Sequence, residues 1–251
     1  MNPLSLMQWF ELHGLENAQP ITKDSAETSA WFATLSGRDF FLKFYPHELA
    51  EPRAATEIAI AGANLHPAIV PLHQIVQCRE GTLLLYDRVR GENLGPMENR
   101  RRFQALPLAE RLMAVATILA ALTAICDAEF MIVDWYEGNM IYDFSQRRIW
   151  LFDWDLCRKG NSFTLEMDSN YGSSRLMAPE EFIRGSRLDQ RTLVFNLGRY
   201  ALLTLPELAE TLAPILARAT YPAPAGRYQS LREFTQAFVN AAPQAGGVNN
   251  R

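Results

Sequence analysis

The sequence predicts an α+β fold of two unequal lobes, a small β-rich one followed by a larger, mainly helical one. Three observations predict it. The texture of the chain changes near residue 90, from short β-prone runs around one helix to long helical stretches. A length of 251 residues allows one or two cores, and no internal repeat divides it further. With 48% hydrophobic and 21% charged residues the chain is ordinary globular material, which excludes disorder as its main state.

The elements follow in order. Residues 30–35 and 40–45 are β-rich runs flanking Ser36-Gly37-Arg38-Asp39, which reads as a hairpin. Residues 52–64 are Ala-rich, with Pro52 near the start of a helix. Residues 69–77 and 82–86 read as two further strands. Residues 108–128 predict a long apolar helix. Its most apolar window, 112–126, falls short of the ~20 residues that span a bilayer, so a core helix and no membrane partner are expected. Residues 130–133, 140–142 and 149–152 read as short extended pieces, and 189–203, 205–219 and 231–242 as helices. The Gly/Asn-rich tail, 243–251, is expected to fray. The division is thus 1–88, 89–242 and a tail.

Charge and cysteines bound the function. Twenty-four Lys and Arg against 28 Asp and Glu give a net charge of −4, which argues against a nucleic-acid partner. Cys78, Cys126 and Cys157 are odd in number and widely spaced, with no C-x-x-C pair, so free thiols in a reducing cytoplasm are expected. The first residues lack a charged segment followed by an apolar one, so no signal peptide is expected.

Several polar residues stand where burial is expected. Lys43 lies inside Phe-Phe-Leu-Lys-Phe-Tyr and needs a carboxylate or an anionic ligand. Glu57 falls on the following helix. Asp134 and Asn139 are five apart in a short loop, and Asp153 ends the run Ile-Trp-Leu-Phe. Oxygen ligands on loops after strands suit Mg²⁺, which takes a few carboxylates together with phosphate oxygens and water.

In this order the residues resemble the protein kinase superfamily, in particular a divergent bacterial serine/threonine kinase. Lys43 and Glu57 resemble the strand lysine and its partner on helix C, and the stretch from Glu57 ends in His66-Pro67-Ala-Ile-Val. The run 84–94 resembles the gatekeeper and hinge, with Tyr86 as gatekeeper. Asp134 and Asn139 have the catalytic-loop spacing, and Asp153-Trp154-Asp155 stands where D-F-G is expected. Gly172-Ser-Ser-Arg-Leu-Met-Ala-Pro-Glu180 resembles the end of an activation segment, and Arg227 the arginine that pairs with Glu180.

The resemblance implies a two-lobe kinase fold and ATP with Mg²⁺ as cofactors. Lys43, oriented by Glu57, would hold the α- and β-phosphates. Asp153 and Asn139 would ligate the metal, and Asp134 would accept the proton of the acceptor hydroxyl. Tyr86, Asp87, Arg88 and Val89 would line the adenine site. The acceptor would be a protein, or a small hydroxyl or amine compound.

The departures are specific. Residues 23–30 lack the glycines of the phosphate loop, so hydroxyls such as Ser25 would have to replace close backbone amides. Ile132-Val133 replaces His-Arg, Tyr136 the expected lysine, Asp155 the D-F-G glycine, and Leu193 the buried helix-F aspartate. The region before Arg227 is too short for the usual helix G. Two alternatives therefore stand beside an active protein kinase. One is a catalytically silent scaffold module. The other is a small-molecule kinase resembling the aminoglycoside and choline phosphotransferases, whose catalytic loop also ends in Gly-Asn, as Gly138-Asn139 does.

Overall fold

The structure, a computed structural model, describes residues 3–21 and 27–242. Ser25 and the tail lie outside the described residues. The chain forms two compact units. The first runs to Arg90 and takes in Phe152–Leu156. The second comprises Gly91–Leu151 and the chain from Cys157 onward.

The first unit is built on one antiparallel sheet. Its strands β1 (Glu16–Pro20), β2 (Ser29–Leu35), β3 (Arg38–Pro46), β4 (Leu72–Cys78) and β5 (Gly81–Asp87) lie in the order β1-β2-β3-β5-β4. The expected hairpin is present. Leu35 pairs with Arg38, which leaves Ser36 and Gly37 as a two-residue turn with φ of 50° and 76°. Both values are left-handed, as a type I′ turn requires.

Strand alternation then sorts the side chains. Phe40, Leu42 and Phe44 of β3 join Leu83 and Leu85 of β5 in one apolar cluster with Trp9. The intervening Phe41, Lys43 and Tyr45 therefore take the opposite face of the sheet.

Two helical features differ from expectation. Helix α1 (Leu6–Leu12) was not foreseen. It starts on a capping box in which Ser5 and Gln8 exchange side-chain and backbone bonds, and it contributes Trp9 to the apolar cluster. The helix expected from residue 52 begins earlier. Its segments are α2 (His47–Leu49), a wide π-type stretch (Ala50–Ala54) and α3 (Ala55–Ala61). Pro52 sits in that wide stretch, where its missing N–H breaks the ordinary helical ladder.

The second unit is mainly helical. Helices α4 (Met97–Gln104), α5 (Leu108–Asp127), α6 (Gln190–Thr204), α7 (Ala213–Ala219) and α8 (Leu231–Ala241) surround short strand pairs. Of these strands, β6 (Glu92–Asn93), β8 (Met140–Asp143) and β9 (Arg148–Leu151) form a three-stranded sheet. β7 (Phe130–Met131) pairs β10 (Arg158–Lys159), and β11 (Ser162–Thr164) pairs β12 (Arg187–Asp189).

Helix α5 is 20 residues long and apolar enough to cross a membrane by length and composition alone. More than half of it is buried inside the protein. It packs on α8, where the Thr123 and Thr235 hydroxyls meet at 2.9 Å. The expected helix over 205–219 is instead a 3-10 turn at Pro206–Leu208 followed by α7. Pro206 and Pro214 each lack an N–H, so each is accommodated only at the start of a helical segment.

All three cysteines are free and buried, and burial pushes the Cys126 thiol up to about 12, which makes it inert.

Asp189 caps α6, accepting from the Arg191 N–H at 3.0 Å. Burial alone would raise its pKa. The side-chain and backbone bonds from Arg191 outweigh that and hold it below 3.8. Its contribution to stability is therefore present above that ordinary value and is lost as pH falls through the folded one. Asp189→Ala is expected to lower stability by ~1 kcal/mol at neutral pH. The gap to wild type should close in acid, as read by urea melts across pH.

Candidate functional site

In the first unit the sheet, helix α3 and the segment 152–156 bring together residues more than 90 positions apart in sequence. Lys43 leaves β3 on the face opposite the apolar cluster, and its ammonium is almost wholly buried. Its Nζ lies 2.5 Å from Asp153 Oδ1, 3.0 Å from Asp155 Oδ2 and 3.6 Å from Glu57 Oε2. Burial alone would lower the pKa of Lys43. The carboxylates of Glu57, Asp153 and Asp155 together outweigh it and hold the pKa above the usual range, so the lysine is a fixed cation.

Glu57 is positioned from three sides. It faces Lys43. Its Oε1 accepts from the Tyr86 hydroxyl at 2.8 Å, and its Oε2 from the Trp154 backbone N–H at 2.9 Å. Burial raises its pKa, and Lys43 opposes that rise. The Tyr45 hydroxyl stands 3.4 Å from Glu57 and 3.2 Å from Asp155. Tyr45 follows Lys43 by two positions, and Tyr86 lies opposite Phe41 across the β3–β5 pair. The period of two that exposes Lys43 to the site thus delivers both tyrosines to it. Sequence reasoning missed Tyr45, although that spacing was legible.

The remaining nucleotide-site candidates in this unit stand at the end of β5. Asp87 pairs with Arg38 at 2.6 Å, and its N–H bonds the Pro71 carbonyl. The Arg88 N–H bonds the Asp39 carbonyl, and its guanidinium lies 4.5 Å from the Phe32 ring centroid. Val89 follows in irregular chain, half-buried.

In the second unit the loop after β7 holds Asp134 and Asn139. Asn139 donates to the Asp134 carbonyl at 2.7 Å and so closes the loop on itself. Asn93 donates to the Gly138 carbonyl at 2.6 Å from outside. A Cβ at Gly138 would stand 2.3 Å from the Tyr136 ring, so any larger residue there must displace that ring. Asp134 has φ 59°, and Asp153 in the first unit φ 72°. Left-handed backbone at non-glycine residues is uncommon and concentrates at functional sites.

Leu193 is buried on α6 where a carboxylate was expected. The loop is instead joined to α6 by the Trp135 ring, edge-on to Tyr200 at 5.1 Å. No activation-segment phosphate could pair with Ile132-Val133. The Arg175 Nη2 instead donates to both oxygens of buried Glu137, at 2.9 and 3.0 Å. Further along, Arg227 and Glu180 form the expected pair, bonded twice at 2.6 and 2.8 Å.

Comparison with known proteins agrees with this architecture. The protein kinase domain family matches residues 33–208. The solved Cydia pomonella granulovirus kinase PK-1 superposes with a TM-score of 0.70 at 17% identity, covering 91% of this chain and 96% of that one. The kinase domain of Mycobacterium tuberculosis PknI does so at 0.62 and 22% identity, covering 89% and 94%. No curated protein sequence matches the chain. The family match spans well over half of the residues and the fold agrees throughout, so the chain belongs to the protein kinase superfamily.

Proposed function

We propose that the chain is an active phosphotransferase that moves the ATP γ-phosphoryl group to serine or threonine hydroxyls of protein. The observation that carries this is the Lys43–Glu57–Asp153 cluster, a fixed buried cation beside a carboxylate. Phosphoryl transfer needs charge neutralisation and positioning more than covalent chemistry.

On this reading Lys43 binds the α- and β-phosphates and Glu57 orients it. Asp134 accepts the proton of the acceptor hydroxyl. The backbone of Asp87 to Val89 lines the adenine site, and Val89 is its best remaining N–H donor, because the Asp87 and Arg88 N–H groups already bond the protein.

The donor set fits Mg²⁺. Oxygens of Glu57, Asp153 and Asp155 lie within 4.8 Å of one another, and all are hard ligands. Asp153 would hold the ion, which when bound neutralises charge on the phosphate oxygens. Three buried free thiols support a reducing, cytoplasmic setting.

A small-molecule kinase for an amine substrate would need unpaired acidic groups to receive the cation. Glu137 and Asp155 are the candidates, and Glu137, itself buried, already faces a cation, Arg175. That supports a neutral hydroxyl as acceptor.

The test is transfer of labelled γ-phosphate from Mg²⁺-ATP to the protein itself and to a generic protein acceptor. Phosphoserine or phosphothreonine is expected with wild type, and Asp134→Asn should lower the rate by ~10²–10⁴-fold. Absence of label with wild type, or unchanged label in the variant, defeats the reading.

A further inference from the structure

We propose that Asp155, standing where the family has glycine, makes this chain select metal-bound nucleotide. The inference rests on the nucleotide reading of Lys43. It adds that Asp155 occupies the lysine until a phosphate with a compensating cation displaces it.

Lys43 has three N–H donors and faces three carboxylates, from Asp153, Asp155 and Glu57. Its hydrogen bonds go to Asp153 and Asp155, at 2.5 and 3.0 Å, and Glu57 stands at 3.6 Å, so a phosphate oxygen competes at Nζ with these carboxylates. Glu57 is held by Tyr86 and by the Trp154 N–H, and its side chain is 2% exposed. Asp153 makes the shortest contact with the lysine, at 2.5 Å. Asp155 makes the longer of the two hydrogen bonds to the lysine. Apart from Lys43 its partner in this cluster is the neutral Tyr45 hydroxyl at 3.2 Å, and its side chain is 11% exposed. It is the group that gives way.

Charge then decides which nucleotide succeeds. One ammonium against three carboxylates leaves the cluster with two surplus negative charges, in a buried setting where water screens poorly. A bare nucleotide adds further negative charge and must also evict Asp155. A nucleotide carrying a divalent cation is less negative by two charges, so it meets less repulsion from that surplus. With glycine at 155 the surplus would be a single charge, and the lysine donor that now bonds Asp155 would be released. Asp155 is thus a specificity-determining residue for the form of the nucleotide rather than for its base.

The experiment is calorimetric titration of the full chain with ADP, in EDTA and in excess Mg²⁺, for wild type, Asp155→Asn and Asp155→Gly. Asn keeps the shape and removes the charge, and Gly restores the family residue. Unliganded melts verify that each variant folds. Wild type should bind ADP with Mg²⁺ and at least tenfold more weakly in EDTA. Both variants should bind ADP in EDTA about tenfold tighter than wild type does, with a much smaller change in Mg²⁺. Equal wild-type affinity in EDTA and Mg²⁺ overturns the proposal, as does an unchanged EDTA affinity in the variants. If no form binds ADP even with Mg²⁺, the nucleotide reading itself has failed, and the proposal falls with it.

Discussion

Arg227→Ala is expected to destabilise the chain by about 3–5 kcal/mol, the usual consequence of breaking a buried ion pair from one side. The guanidinium is fully buried and all five of its N–H donors are used. Two go to the Glu180 carboxylate at 2.6 and 2.8 Å. The others go to the carbonyls of Arg191, Pro222 and Tyr221 at 3.0, 2.7 and 2.7 Å. Alanine leaves the buried Glu180 with only the Thr192 hydroxyl among these partners. Against a typical total of about 5–15 kcal/mol, that loss is a large fraction of the fold's stability. Arg227→Lys should fail as well, because a point charge with three donors cannot reproduce the planar fork. Urea denaturation is the measurement. A loss below about 1 kcal/mol for Arg227→Ala would show that the network is not the clamp described here.

Lys43→Met is expected to abolish phosphoryl transfer and also to destabilise the first unit by about 3–5 kcal/mol near neutral pH. It leaves Glu57, Asp153 and Asp155 facing one another with no cation between them. The double variant Lys43→Met/Glu57→Gln should recover about 1–3 kcal/mol relative to additivity, because the orphaned buried charge is then also removed. The pH dependence has a definite sign. Burial already raises the Glu57 pKa above 4.5, and loss of Lys43 raises it further. A group with a raised folded pKa contributes stability below its unfolded value and loses it as pH rises through the folded one. The deficit of Lys43→Met should therefore be smaller near about pH 5 than near about pH 8. A deficit that does not depend on pH would count against an uncompensated carboxylate as its cause.

Much of this was legible in the chain. A lysine inside an apolar strand, with Glu57 on the next helix and Asp153 after a strand, requires compensating charge wherever it is buried. Order and spacing then identified the superfamily. The strand period also placed Lys43 and Tyr45 on the face opposite Phe40, Leu42 and Phe44. What escaped notice locally was short or proline-interrupted. Helix α1 has only seven residues behind its Ser5–Gln8 cap, and the run 205–219 is broken at prolines that composition alone made look helical.

What the sequence by itself determined is the inventory of charged and apolar groups and the periods that sort them to faces. Periodicity and spacing are local, so they are readable without coordinates. Only the tertiary structure decided the pairings beyond Lys43–Glu57 and Arg227–Glu180, which the resemblance already implied. Asp155 faces Lys43 across 112 positions, Arg175 faces Glu137 across 38, and the Trp135 ring stands edge-on to Tyr200 of α6. Ion pairing in a buried site depends on distance in space and on the absence of water. Neither is fixed by separation along the chain.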